Sequence, residues 1–189
     1  TYRRRRKLTV RKSLPLGGFS NKHTVKLRYV ETFTLDAGAG TYAVNEFRAN
    51  SLFDPNKTGV GHQPSNFDKV ATIWDRYTVI GSKAKVYWVP TSSTVISPPP
   101  LLALHLSEAG GEIATAHASG GIDNVLEQPR LRRSTRYIGI YNGIPTMLVQ
   151  TFSAKKFFGV KDLIGENPYS SDIATSPTEG AIYEVGCIS

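Results

Sequence analysis

The amino-acid sequence predicts an all-β protein, a single β-sandwich of the jelly-roll kind with one short helix and long loops, and three observations carry that expectation. Seven short runs with strand character follow one another, separated by Gly, Pro, Ser and Asn. Helical periodicity is confined to one stretch. The connections near 50–65, 90–100, 107–134 and 154–180 are long, and long ordered loops in such domains commonly form functional surfaces.

The chain opens on a block of charge. Residues 1–12 carry Arg3, Arg4, Arg5, Arg6, Lys7, Arg11 and Lys12 and no acid. Of the 23 Lys and Arg in the chain, seven lie in this arm and sixteen in the body, where they meet 15 Asp and Glu. The protein is therefore a near-neutral body with a cationic arm. Like charges repel, so the arm is expected to stay disordered until a polyanion neutralises it. Each phosphate bound releases counterions, which makes such affinity salt-sensitive and independent of sequence. A nuclear-localisation signal is compatible with the same residues. A membrane-surface role fits them less well, because the arm lacks the apolar face of an interfacial helix. Leu14-Pro15-Leu16-Gly17-Gly18 reads as a linker, so arm and linker fill 1–20 and the β-domain fills 21–189.

The clearest strand runs from Thr24 to Asp36. Val25, Leu27, Tyr29, Phe33 and Leu35 take odd positions, and Lys26, Arg28, Thr32 and Thr34 take even ones. Period two predicts one buried and one wet face, with Glu31 and Val30 as the exceptions. The turn 36–40 leads to a second strand over 41–48. Ser65-Asn66-Phe67-Asp68 has the S-x-x-D form of a capping box and predicts a helix over 66–75 that packs its aromatics on the sheet. A strand follows over 77–89, with Ile80, Ala84, Val86 and Trp88 sharing a face. Residues 101–106 are almost continuously apolar, as a central strand requires. Segments 136–141, 146–153 and 181–188 complete the set.

Catalytic and metal chemistry find little support. The chain has no P-loop and no G-x-S-x-G elbow. His23, His62, His105 and His117 stand singly, with no metal-ligand spacing, and no cofactor is expected. His105, inside an apolar strand, reads as a satisfied structural histidine. Asp54-Pro55-Asn56-Lys57-Thr58-Gly59 echoes a calcium loop, but its twelfth position is Ser65 where a bidentate Glu is needed, so it reads as a turn. The single cysteine, Cys187, excludes an internal disulfide. No run of eighteen apolar residues suggests membrane insertion, and the basic start lacks the apolar stretch of a secretory signal. Aromatics mix with cations at Lys83, Lys85, Tyr87 and Trp88 and at Lys155-Lys156-Phe157-Phe158. Such mixtures can stack on single-stranded bases, although in a β-domain the same rings also serve as core.

The segment from Asn50 through Asp54, Pro55, Thr58, Gly59, Gly61, His62, Gln63 and Pro64 to Phe67 and Asp68 resembles the N-S-x-x-D-P-x-x-T-G-x-G-H-Q-P-x-x-F-D segment of the capsid proteins of circular, Rep-encoding single-stranded DNA viruses, the circovirus-like group. Tyr77-Thr78-Val79-Ile80-Gly81-Ser82-Lys83 is similar to the Y-x-V-x-G-S-K that follows it there, and Lys155-Lys156-Phe157-Phe158-Gly159 to a later K-K-x-F-G. The resemblance implies a viral jelly-roll shell domain, self-assembly into a small T=1 icosahedral shell, and packaging of single-stranded DNA by the arm. It also implies a non-enzymatic protein located in the virion and, during infection, in the host nucleus, with nuclear import receptors as partners. The residues themselves give Gly59 and Gly61 a positive-φ or close-approach role. They give Asn50, Asp54 and Asn56 the role of capping turns. A jelly roll has eight strands, and seven are visible, so one is missing from the chain, overlooked or supplied by a partner. Two other readings remain at this point: a monomeric single-stranded nucleic-acid-binding module and a jelly-roll carbohydrate-binding protein.

Overall fold

The computed structural model describes residues 20, 22–89, 100–132, 135–137, 146–164 and 168–188. In chain order the elements are β1 (Tyr42–Arg48), α1 (Phe67–Ala71), β2 (Arg76–Thr78), β3 (Gly81–Trp88), β4 (Leu101–Ser107), α2 (Glu112–Glu127), α3 (Pro129–Arg132), β5 (Thr135–Tyr137), β6 (Thr146–Ser153), α4 (Ala154–Phe158), β7 (Ser170–Asp172) and β8 (Ile182–Ile188). Every strand pair is antiparallel, and the class is all-β.

The central sheet has the order β1-β8-β4-β5. Its alternating side chains feed two separate cores. Leu102 and Leu104 of β4 and Tyr183, Val185 and Cys187 of β8 point into the larger one. There they meet Leu148 and Phe152 of β6, the half-buried Ala84, Val86 and Trp88 of β3, and Phe33 and Leu35. Leu101, Ala103 and Ile188 point the other way, onto Ile113, Ala116 and Val125 of α2 and Leu131 of α3. Because both faces are covered, β8 is buried along its whole length and β4 nearly so. This is why 101–106 lacks alternation and why its central placement was legible. Each fully buried Leu or Ile contributes roughly 1.5–3 kcal/mol relative to exposure.

The helical layer departs from the expectation of one short helix and a loop over 107–134. Its longest member, α2, is broken where Gly121 takes φ 65°. Gly120-Gly121 obscures the helical period, and burial against the sheet decides the conformation. Two carboxylates of the sheet secure its start. Glu184, fully buried, accepts hydrogen bonds from the backbone N–H groups of Glu112 (3.1 Å) and Ile113 (3.0 Å). Glu46, directly opposite it in β1, accepts from Gly111 N–H at 2.8 Å. The negative side chains satisfy orphan donors and oppose the positive end of the helix dipole. His105 lies within 2.6 Å of the Glu112 carboxylate and is 4% exposed, a satisfied core histidine as expected.

Other boundaries shift. The expected strand 77–89 divides into β2 and β3, and Ile80 is exposed at the break, not on the buried face with Ala84, Val86 and Trp88. Helix α1 covers 67–71, shorter than 66–75. Ser65 does not cap it, because Asn66 occupies the N-cap in a left-handed conformation (φ 68°) with no side-chain cap. Phe67 still packs edge-on against Tyr77, with ring centroids 5.7 Å apart. Of segment 136–141, only β5 at 135–137 lies within the described residues.

Segment 24–36 shows the predicted alternation from residue 27 onward: 27, 29, 31, 33 and 35 are partly buried and the even positions exposed, whereas Val25, expected on the buried row, is exposed. It forms no strand ladder among the described residues. Glu31 sits on the inward row because it accepts hydrogen bonds there, from the Tyr29 hydroxyl and from Asn56 Nδ2 at 2.9 and 3.1 Å.

Candidate nucleic-acid interface

The seven arm residues Arg3, Arg4, Arg5, Arg6, Lys7, Arg11 and Lys12 lie outside the described residues. Within the described body, exposed cations include those of segment 24–36 and of β3. Lys26 and Arg28 line the exposed row of segment 24–36. Lys83, Lys85 and Tyr87 line the exposed row of β3, with Tyr87 63% exposed. Alternate residues on a strand are about 6.6–6.8 Å apart, so the two lysines present a regular row of charge. None of Lys26, Arg28, Lys83 and Lys85 forms an ion pair among the described residues.

Pairing with β6 completes this face. Lys83 is opposite Thr151, Lys85 opposite Val149 and Tyr87 opposite Met147. Met147 and Val149 are exposed, and no carboxylate stands in the row. The face is thus cationic at one end and aromatic–apolar at the other, able to hold phosphates and to stack a base. Sequence reasoning named Lys83, Lys85 and Tyr87. It missed Met147 and Val149, because only the register of two strands sixty residues apart brings them alongside. Trp88 points into the core side instead. Phe157 and Phe158 also belong to the core: both stand edge-on to Phe152, at 5.5 and 5.9 Å. Lys155 and Lys156 of α4 remain exposed beside them.

The 50–68 segment is a tightly bonded junction. Asn56, 2% exposed, is its hub. Its Oδ1 accepts from the Thr58 N–H (3.0 Å) and hydroxyl (2.7 Å), while its Nδ2 donates to Glu31. The turn role holds for Asn56 but not for its neighbours. Asn50 joins distant parts of the chain, donating to Glu179 O (2.7 Å) and accepting from Ala181 N–H (3.1 Å). Asp54 pairs with Arg48 at 2.6 Å, and Pro55 O accepts from Arg48 N–H at 2.7 Å, folding the segment back on β1. Gln63 Nε2 donates to Phe53 O at 3.1 Å, and buried Pro64 accepts from Phe67 N–H at 3.0 Å. Asp68 lies in the first turn of α1.

The two glycines serve separately. Gly59 has φ +77° in open space. Gly61 is a close approach: a Cβ there would meet Asn56 Cβ at 2.6 Å and the Tyr29 hydroxyl at 2.7 Å. His62 clamps the junction to segment 24–36. Its Nδ1 lies 2.8 Å from Gln63 O and its Nε2 2.8 Å from Val30 O, and its ring lies 4.6 Å from that of Tyr29. The two carbonyls favour the imidazolium and raise the His62 pKa above its usual range. Burial, with the adjoining Glu31 carboxylate, pushes the Tyr29 phenol well up. This network ties the 50–68 segment to β1 and to segment 24–36, and the described residues contain no group of acidic, His or Cys side chains able to hold a metal ion.

No family model matches the chain, and neither a curated protein nor a solved structure matches it.

Proposed function

We propose that the protein is a non-enzymatic shell subunit that binds nucleic acid through its basic arm. More specifically, we propose the coat protein of a circular, Rep-encoding single-stranded DNA virus, built on a jelly roll. The observation that carries the reading is the segregation of charge: seven cations and no acid in twelve residues, ahead of a near-neutral body. The exposed row Lys83–Lys85–Tyr87 supports it, since an outward cationic face suits the inner lining of a nucleic-acid-filled shell. A scaffold of antiparallel sheets packed about an apolar core is consistent with a jelly roll. The arm would neutralise phosphates in the virion and serve import receptors in the host nucleus.

The test is particle sizing with negative-stain microscopy of the purified chain, with and without residues 1–12. Uniform shells from both forms, with less nuclease-protected single-stranded DNA in the shortened one, are the expected result. A protein that stays monomeric in every condition is a binding module instead, and sugar binding that survives arm removal favours the carbohydrate-binding reading.

A further inference from the structure

Helix α2 is two helices joined at a break, and the first, residues 112–119, stands between two pairs of glycines. Gly110 and Gly111 have φ +83° and +79° on one side, and Gly121, after Gly120, has φ 65° on the other. Positive φ is easy for glycine and strained for other residues, so each pair is a point about which the chain turns. The segment lies on the face of the central sheet opposite the larger core, and its apolar hold there is small. Its buried side chains are Ile113 and Ala116, which meet Leu101, Ala103 and Ile188. His117 adds a ring contact with the exposed Tyr42, 5.1 Å between centroids.

The rest of the hold is polar. Glu46 of β1, Glu184 of β8 and His105 of β4 stand in one row across the sheet. All four oxygens of the two carboxylates face donors. Gly111 N–H (2.8 Å) and Lys57 Nζ (2.7 Å) meet Glu46, while Glu112 N–H (3.1 Å) and Ile113 N–H (3.0 Å) meet Glu184. His105 Nε2 lies 2.6 Å from the Glu112 carboxylate. Lys57 also donates to Ala109 O at 3.0 Å, which fixes the turn before the segment. A proton on any oxygen of Glu46 or Glu184 would point at an N–H or ammonium group, and neither has a lone pair to accept it. The protonated carboxyl must turn that oxygen aside, leaving a donor without its partner. Protons and the seated segment therefore compete for the same oxygens, and acid favours the state in which those oxygens are free. Protonation of His105 works the other way, because an imidazolium strengthens the bond to Glu112. Among the remaining titratable groups around α2, Glu108, Asp123, Glu127 and Arg130 are exposed, the last three beyond the glycine break.

We propose that Glu46 and Glu184 form a proton-operated latch, which holds residues 112–119 on the sheet near neutral pH and releases them in acid to swing about the two glycine pairs. Such a switch needs a local change of charge and an element with two positions, and the carboxylate row and the hinged segment supply them. Release uncovers Leu101, Ala103 and Ile188, with the half-buried Val44 beside them, as an apolar patch. The sheet itself stays in place, because Leu102, Leu104, Tyr183, Val185 and Cys187 remain packed in the larger core on its other face. The inference goes beyond the nucleic-acid reading and does not depend on what the arm binds.

The test uses the full chain. Amide exchange at pH 7.5 and at pH 4.5 is expressed as protection factors, so that the intrinsic effect of pH on exchange drops out, and binding of the dye ANS reports exposed apolar surface. The expected result in acid is a fall of at least about tenfold in protection at Ile113, Ala116 and His117, a rise in dye fluorescence, and unchanged protection in β8. Glu46→Gln combined with Glu184→Gln gives each position a donor as well as an acceptor, as a protonated acid has. This variant should show the low protection of 112–119 at both pH values while β8 stays protected. Glu46→Gln alone, at a half-buried position, weakens the latch without emptying it and should open at a higher pH than the parent. Three results overturn the proposal: protection of 112–119 that survives acid in the parent, loss of protection in β8 together with 112–119, or opening of Glu46→Gln at the same pH as the parent. A double variant that is folded and still opens only in acid overturns it equally.

Discussion

Replacing Gly61 by alanine adds a single methyl group at the tightest point of the 50–68 junction. The new Cβ would lie 2.6 Å from Asn56 Cβ and 2.7 Å from the Tyr29 hydroxyl. Carbon atoms rest about 3.5–4.0 Å apart, so a neighbour must retreat by roughly 1 Å. Asn56 has little freedom to do so, being buried and bonded to both Glu31 and Thr58. Overpacking of this kind costs about 1–3 kcal/mol. Breaking the charge-assisted Asn56–Glu31 bond adds a loss of comparable size. We expect Gly61→Ala to cost about 3 kcal/mol. Gly59→Ala is the control: nothing lies within 4 Å of its Cβ, and only the left-handed backbone opposes it, at about 1–2 kcal/mol. Urea unfolding of the chain, followed by the fluorescence of Trp74 and Trp88, measures both. Adding Tyr29→Phe to Gly61→Ala removes one of the two clashes and should recover part of the loss. Equal costs for the two glycine variants, or no recovery from Tyr29→Phe, would refute the reasoning.

Three further outcomes are expected, two from the structure and one from the charge of the arm. Glu184→Gln keeps the side chain's size but turns one of its two acceptors into a donor aimed at the start of α2; a loss of about 2–3 kcal/mol and faster amide exchange at Ile113 are expected, and an unchanged exchange rate would contradict the capping role. The His62 clamp should depend on pH: with its folded pKa raised, its contribution is complete below the unfolded value near 6.5 and fades as pH rises through the raised one, so the protection factor of the Ser65 amide should fall from pH 5.5 to 8.5 in the parent and stay level in His62→Gln. Removing residues 1–12 should lower the slope of log affinity against log salt for single-stranded DNA by about 5, since each of seven phosphate contacts adds about 0.7; an unchanged slope would place the binding in the body.

The charge of the arm, the alternation of 24–36 and the central place of 101–106 were legible in the sequence because each is a local property. A run of cations repels itself whatever follows it, period two writes itself into every second residue, and a strand covered on both faces has no polar positions to show. Gly59 and Gly61 were also legible as special, although only coordinates distinguish a positive φ from a close approach. What the sequence could not decide depends on partners far along the chain. Asn50 reads locally as a turn residue, but its side chain bonds Glu179 and Ala181, 129 and 131 residues away. The residues of α2 carry a weak helical signal, and the apolar face of β4 and β8 completes it. Met147 and Val149 joined Lys85 and Tyr87 only through the register of β3 on β6. The strand that local pattern marked most clearly, 24–36, is the one left without a described ladder, because period two specifies which face is buried and says nothing about which backbone lies alongside.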